Sequence, residues 1–322
     1  MEIRQVMYFV SVVESGSISR AAESLGIAQP ALSAQMASLE QQVGCQLLSR
    51  SSRGATPTSA GEEFYRRAKV LLKQADSLKR IGSELSAKPA GHVVVGVPAS
   101  AANMIAVPLL RDLKERYPDI VISLIESPSA YLGDLLLSGR LDVTLLFDEN
   151  LGKGMASEPL LVEDLFVVGI PTDADELPLL ALDGHRLVMP AHPNSIRRLL
   201  DRACADSGIK IETIADVTSP STMLQLAHAG IAATILPWSV IGAGGSIEGL
   251  PVARLVGPGL ARRVSIAISS EAPQSPALLA VRELIKSTVR RLVGDRVWKG
   301  ADLASNRIEE PAPRWTQLQA NR

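Results

Sequence analysis

The segment Ser17–Arg50, SISRAAESLGIAQPALSAQMASLEQQVGCQLLSR, restricts the possible folds more than any other part of the chain. Ser17 follows Gly16, so one helix can end on the glycine and the next begin on a serine cap. Ile18, Ala21, Ala22 and Leu25 then share one helical face. The small Ala21–Ala22 pair permits close approach of a neighbouring helix. Gly26 accepts a left-handed backbone and ends this helix. A second helix starts near Gln29–Pro30, where proline suits the first turn. Leu32, Met36, Leu39 and Val43 form its buried stripe. The other face carries Gln29, Ala31, Ser33, Ala34, Gln35 and Ser38, which are short and mostly uncharged.

That surface has the chemistry of a major-groove reader. Glutamine can pair with adenine N6 and N7, and serine can bond donors or acceptors. The alternative for helix–glycine–helix alone is an ordinary helical hairpin with a solvated face. The context favours DNA. QLLSRSSRGATPTSAG follows, and Arg50 and Arg53 flank a Ser/Gly-rich turn shaped like a wing for phosphate contacts.

AAESLGIAQPALSAQMASLE followed by LLSRSSRGATPTSAG resembles the winged helix-turn-helix of LysR-type transcriptional regulators, closely from Met1 to about Ala87. The resemblance places Gln29, Pro30, Ser33 and Gln35 on the recognition helix and Arg50 and Arg53 on the wing; with Ser19, Ala31, Ala34 and Ser38 they make the candidate DNA-binding set. Two positions depart from the family. Ala28 stands where a serine or threonine cap is frequent, and Leu48 where phenylalanine is common. Within the family, QPALSAQMASLE, PLLVEDLFVVG and ATILPWS are similar to the nitrogen assimilation control subgroup. The family also implies contact with RNA polymerase.

Charge agrees with that placement. The 322-residue chain has a net charge of −1, yet residues 1–88 hold 11 Lys/Arg against 8 Asp/Glu and the remainder 22 against 26. Positive charge therefore gathers where phosphate would be met. Aromatic residues make up 3%, too few for a platform that stacks single-stranded bases. Cys45 and Cys204 lie far apart with no metal-type spacing, as expected of two buried, reduced thiols in the cytoplasm. No secretory leader is visible. Val93–Leu110 is uncharged but broken by Gly96, Pro98 and Pro108, so it is read as soluble-fold strand and helix with no membrane role.

Thr58 opens a long helix in which Phe64, Ala68, Leu71, Ala75, Leu78 and Leu85 approximate a heptad seam. This is expected to be a dimerisation helix, the alternative being packing on its own domain. After the break at Pro89–Gly91, apolar strands alternate with helices. That pattern predicts α/β lobes built on parallel strands with right-handed crossovers. The expected fold is an all-α winged helix-turn-helix plus α/β: a DNA-binding domain over 1–58, a linker helix over 59–88 and a two-lobed effector domain over 91–300. The lobe arrangement resembles the periplasmic-binding-protein-like domain of the LysR family. Lobe I would take about 91–160 and 267–300, lobe II about 161–266. Chain passages between lobes are expected near Glu158–Asp164 and Ile266–Ser270. Residues 301–322 are expected to be a disordered tail.

Ligands of open parallel sheets bind at the carboxyl ends of strands. Three such ends lead into hydroxyl-bearing helix starts, so Ser100, Ala101, Ser127, Ser129, Phe147, Pro220, Ser221 and Thr222 are candidate effector-binding residues. Simple helix capping is the alternative. No arginine sits in these turns, leaving an anionic ligand without an obvious counter-charge. No zinc spacing, nucleophile elbow or phosphate loop is present, so no metal, cofactor or catalytic residue is assigned. The expected function is sequence-specific binding of double-stranded DNA by a homo-dimer or tetramer, modulated by a small-molecule effector. A small-molecule binding protein, or an enzyme on the lobes with an incidental helical head, remains the alternative.

Overall fold

The computed structural model describes residues 1–51, 54–84, 88–147, 151–243 and 249–305. The chain opens with α1 (Ile3–Ser15), α2 (Ile18–Leu25) and α3 (Gln29–Val43), followed by a hairpin of β1 (Leu48–Ser51) and β2 (Gly54–Pro57). Ser17 Oγ accepts from Arg20 N, and Gly26 closes α2 with φ +67°. Ala28 precedes α3 with no side-chain cap, and Pro30 supports its first turn instead. Val6, Phe9, Ala21, Ala22, Leu32, Met36, Leu39 and Leu48 close one core, so leucine fills the position where phenylalanine is common. Gly54 is required by close approach: a Cβ there would stand 2.3 Å from the Gly16 carbonyl oxygen. That contact sets the wing against the turn before α2.

Thr58 Oγ1 accepts from Gly61 N, beginning α4 (Ser59–Glu84). Phe64 and Ala68, expected in a dimer seam, pack into the head's own core, and the Phe9 and Phe64 rings meet edge-on at 5.0 Å. The head needed a lid for its apolar floor, and the first turns of α4 supply it. Leu71 and Leu78 are exposed, Ala75 is half-buried, and Leu85 lies outside the described residues.

The α/β part begins with β3 (Gly91–Pro98), α5 (Ala99–Arg116), β4 (Ile120–Ser127), α6 (Ser129–Leu137) and β5 (Val143–Phe147). β6 (Met155–Glu163) then leads out of the first lobe. The second lobe holds β7 (Leu165–Val168), β8 (Glu176–Pro178), β9 (Arg186–Pro190), α7 (Ser195–Ser207), β10 (Glu212–Val217), α8 (Pro220–His228), β11 (Ala233–Pro237), α9 (Trp238–Ile241) and β12 (Val252–Val256). The chain returns through β13 (Arg262–Ser269), α10 (Pro276–Gly294) and β14 (Ala301–Leu303). The sheet orders are β14-β6-β13-β5-β3-β4 and β10-β9-β11-β7-β12-β8. β3 pairs parallel with β4 and β5, as the βαβαβ pattern predicts. Of the two strands joining the lobes, β6 keeps that direction and β13 runs against it, antiparallel to both β5 and β6.

Two boundaries differ from expectation. The first passage turns at Asp164, the last residue of the expected stretch. The second lies at 257–261, not at Ile266–Ser270, because β13 is paired along its whole length inside the first lobe. The strand's apolar run is core, and the crossing is made by the Gly/Pro-containing loop before it. The expected disorder from residue 301 is also corrected at its start. Ala301–Leu303 adds an edge strand to β6, and Asp164 N donates to Gly300 O at 2.7 Å. Residues 306–322 lie outside the described residues. Cys204 is buried as expected, and burial, with Asp201 adding, raises its thiol pKa; Cys45 is exposed, against expectation.

Candidate nucleic-acid interface and interlobe cleft

α3 turns Leu32, Met36 and Leu39 inward, so helical periodicity carries Pro30, Ala34 and Ala37 outward. Gln29, Pro30, Ala31, Ala34 and Gln35 are exposed, and Ser33 and Ser38 half-buried. The two flanks of this ridge are held differently. On one, Gln29 Nε2 donates to Ser33 Oγ at 2.9 Å. On the other, Gln5 Nε2 donates to Gln35 Oε1 at 3.2 Å and to Ser38 Oγ at 3.4 Å. The wing is tied to the end of α3 by Glu40. Its Oε1 accepts from Leu47 N at 2.8 Å and Leu48 N at 2.9 Å, and its Oε2 faces Arg50 Nη2 at 3.4 Å. An open recess joins Ser17, Ser19 and Arg20 at the start of α2 to Arg50, Ser51 and Gly54 of the wing. Exposed Ser19 and Arg50 therefore share one surface. Arg53 lies outside the described residues.

The cleft between the lobes is lined by Ser100, Ser129, Phe147 and Pro220 of the expected set. Ala101 is instead packed in the lobe I core. Ser127, Ser221 and Thr222 do not line the cleft. Ser219 takes a capping role at α8, its Oγ accepting from Thr222 N. Ser129 Oγ accepts from Phe147 N at 3.4 Å. The residue that organises the cleft is Arg262, which the sequence did not single out. Its Nη2 donates to Ser100 Oγ at 2.9 Å, its Nη1 to Ser195 Oγ at 3.1 Å, and its Nε to Glu163 Oε1 at 2.6 Å. The guanidinium also sits 3.8 Å above the Phe147 ring centroid. Glu163 Oε2 accepts from Trp298 Nε1 at 3.1 Å and Ser239 Oγ at 3.4 Å. Arg262 is 5% exposed and Glu163 1%, so the floor is a satisfied, neutralised ion pair.

No arginine sits in the three turns themselves, but Arg262 reaches the cleft from β13, with its charge paired to Glu163. The arginine comes from the strand after the second passage, and a passage placed nine residues too late hides it. Two arginines heading a strand of serine and apolar residues, RRVSIAIS, were the available signal. The cleft encloses about 50 Å³, room for roughly one or two waters. Among the described residues no group of His, Cys, Asp and Glu is arranged to hold a metal, and no helix is long and apolar enough to cross a membrane.

A helix-turn-helix head with a hairpin wing, a long helix and two α/β lobes joined by two passages define a two-domain bacterial regulator. The chain belongs to the LysR family: the bacterial regulatory helix-turn-helix protein, lysR family, matches residues 3–62, and the LysR substrate binding domain matches residues 86–290. It is a LysR-type transcriptional regulator, and enzymatic use of the lobes is set aside. The nitrogen assimilation regulatory protein nac of Klebsiella aerogenes is 34% identical over 90% of this chain and 96% of its own. Full-length OxyR from Pseudomonas aeruginosa shares the fold, with a TM-score of 0.77 at 21% identity over 97% of this chain and 99% of its own. CbnR, in complex with its target DNA, gives a TM-score of 0.62 at 24% identity, covering 89% of this chain and 100% of that one.

Proposed function

We propose that this regulator reads duplex DNA through the outward ridge of α3, with Gln29, Pro30, Ala31, Ser33, Ala34, Gln35 and Ser38 at the bases and Ser19, Arg50 and Arg53 at the phosphates. The observation that carries this is the shared surface. The exposed small-residue ridge stands beside a recess joining the start of α2 to Arg50. Small side chains let the helix sit deep in the groove, and the flanking hydroxyls and guanidinium fix its register. The working form is a cytoplasmic homo-oligomer, dimer or tetramer, because paired heads match paired half-sites. Exposed Leu71 and Leu78 on α4 supply an apolar seam for a second copy. The DNA complex of CbnR and the likeness to nac support this reading.

The interlobe cleft is the place for a small-molecule effector. Pockets for such ligands measure at least about 300 Å³, so binding requires the lobes to part around Arg262. Opening would then alter how the heads are spaced.

A gel-shift titration with duplex DNA from upstream of the protein's own coding region tests the reading. Affinity falls steeply with salt, and Arg50→Ala lowers the salt slope by about one. Salt-independent retardation, or none at low ionic strength, rejects it. A melting-temperature scan with small carboxylic acids tests the cleft.

A further inference from the structure

We infer that Gln5, buried in α1 and away from the outward ridge, sets which hydrogen-bonding edge Gln35 presents to DNA. This rests on the reading of α3 as the DNA-reading helix. The argument is a chain of donors and acceptors. The backbone N–H of Glu2 can only donate, and it donates to Gln5 Oε1 at 3.0 Å. With its carbonyl turned to the start of α1, Gln5 has only its NH2 group to offer α3. That group donates to Gln35 Oε1 at 3.2 Å and Ser38 Oγ at 3.4 Å. Gln35 must therefore point its carbonyl at Gln5. Its own NH2 group faces away and has no hydrogen-bond partner among the described residues. Gln42 Nε2 also donates to Ser38 Oγ, at 3.1 Å, so the serine oxygen is engaged from two sides.

Gln5 is 6% exposed while Gln35 is exposed. Ala31, Gln35, Ser38 and Gln42 follow one ridge of α3, at helical steps of four, three and four. Gln35 is thus an exposed group on the flank of the reading surface whose orientation is imposed from a buried one. A free glutamine can turn either edge outward and pair adenine through both. A glutamine held by its carbonyl presents donors. Its best partners are acceptors on a base edge, guanine O6 and N7 together or thymine O4, whereas adenine sets a donor, N6, beside its N7 acceptor. Gln5 is a positioning residue for this contact and does not itself reach the DNA.

The test is selection of bound duplexes from a randomised library by the full-length protein, followed by sequencing. Wild type, Gln35→Ala, Gln5→Leu and Gln5→Glu are compared at one salt concentration. Gln35→Ala flattens the preference at one base pair per half-site, by about ten-fold. Gln5→Leu keeps an apolar volume of similar size, releases the carboxamide and flattens the same pair. Gln5→Glu preserves the shape and the bond from Glu2 N but offers only acceptors to α3. It draws the Gln35 NH2 inward, so the preference at that pair passes from guanine or thymine to the donor-bearing adenine or cytosine. A merely structural role for Gln5 cannot reverse a base preference. If wild type enriches a site and both Gln5 variants enrich the same one, Gln5 does not orient Gln35. If wild type enriches no sequence, the assignment of α3 to DNA reading falls first.

Discussion

Arg262 and Glu163 lie directly opposite each other in the β13–β6 ladder, and the arginine Nε donates to Glu163 Oε1 at 2.6 Å. Each residue sits at a passage between the lobes, Glu163 where the chain leaves the first lobe and Arg262 where it returns. One buried ion pair therefore ties both passages side by side. Its remaining donors reach Ser100 at the start of α5 and Ser195 at the start of α7, one helix from each lobe. Lobe closure and hinge geometry are held by the same side chain.

Removing that side chain strands a buried carboxylate. Arg262→Met is expected to cost about 3 kcal/mol in urea unfolding at pH 7, the lower end for breaking a buried pair, because Trp298 and Ser239 still donate to Glu163. The double variant Arg262→Met with Glu163→Gln is expected to lose less than Arg262→Met alone, since no charge is left unpaired. A loss of under about 1 kcal/mol for Arg262→Met would falsify the claim that the pair holds the passages.

The wing depends on Glu40 in a similar way. Its carboxylate takes two backbone N–H groups of the β1 entrance, and charge-assisted bonds of this kind are the stronger ones. Glu40→Ala is expected to lower the stability of the full chain by about 2 kcal/mol. It should also weaken DNA binding on every sequence alike, by misplacing Arg50 without altering the base-reading ridge. Both effects are read from thermal unfolding and from gel shifts on matched and mismatched duplexes. A sequence-dependent loss would mean that Glu40 acts through α3 itself.

The head was legible in the sequence because its signals are local. Gly16, Gly26, Pro30 and the Leu32–Met36–Leu39 stripe each act within one or two turns, and the observed helices start and stop where they predict. The cleft was legible only in part. Ser100 and Ser129 follow strands directly, so their positions are set by neighbours in the chain. Arg262 reaches Ser100 across 162 positions of sequence, and no periodicity encodes that. The heptad spacing of Phe64 and Ala68 misled for a related reason. A helix covering its own domain and a helix seeking a partner carry the same apolar repeat, and only tertiary contacts tell them apart.

Acid stability gives a further test, at the joint between β6 and α10. A hydrogen bond from Lys286 holds the Glu158 carboxyl below the usual carboxylate range, against the opposing effect of burial, and Arg282 adds to it. A depressed folded pKa stabilises the chain above the unfolded value, about 4.3, and that contribution disappears as pH falls through the folded value. The carboxylate is 37% exposed, so solvent screening keeps the contribution at pH 7 below about 1 kcal/mol. Glu158→Gln is expected to be slightly less stable than wild type at pH 7 and to lose less than wild type does below pH ~4.3. Parallel acid limbs in urea unfolding would show that Glu158 makes no such contribution.

The contact between head and effector domain turns on Gly139. Its φ is +71°, and a Cβ there would stand 3.0 Å from the Lys69 Cβ of α4. On either side of this approach, Arg140 lies 5.5 Å over the Tyr65 ring and Lys73 Nζ meets Asp142 Oδ1 at 2.7 Å. Gly139→Ala adds the left-handed penalty of about 1–2 kcal/mol and pushes α4 off the lobe. Lys73→Ala weakens the same joint without backbone strain. Both variants are expected to enlarge the radius of gyration of the full-length protein in small-angle scattering at matched oligomeric state, and to alter the length of DNA protected in footprinting. An unchanged radius and footprint in both would show that the head's position is set elsewhere, by contacts between copies of the chain.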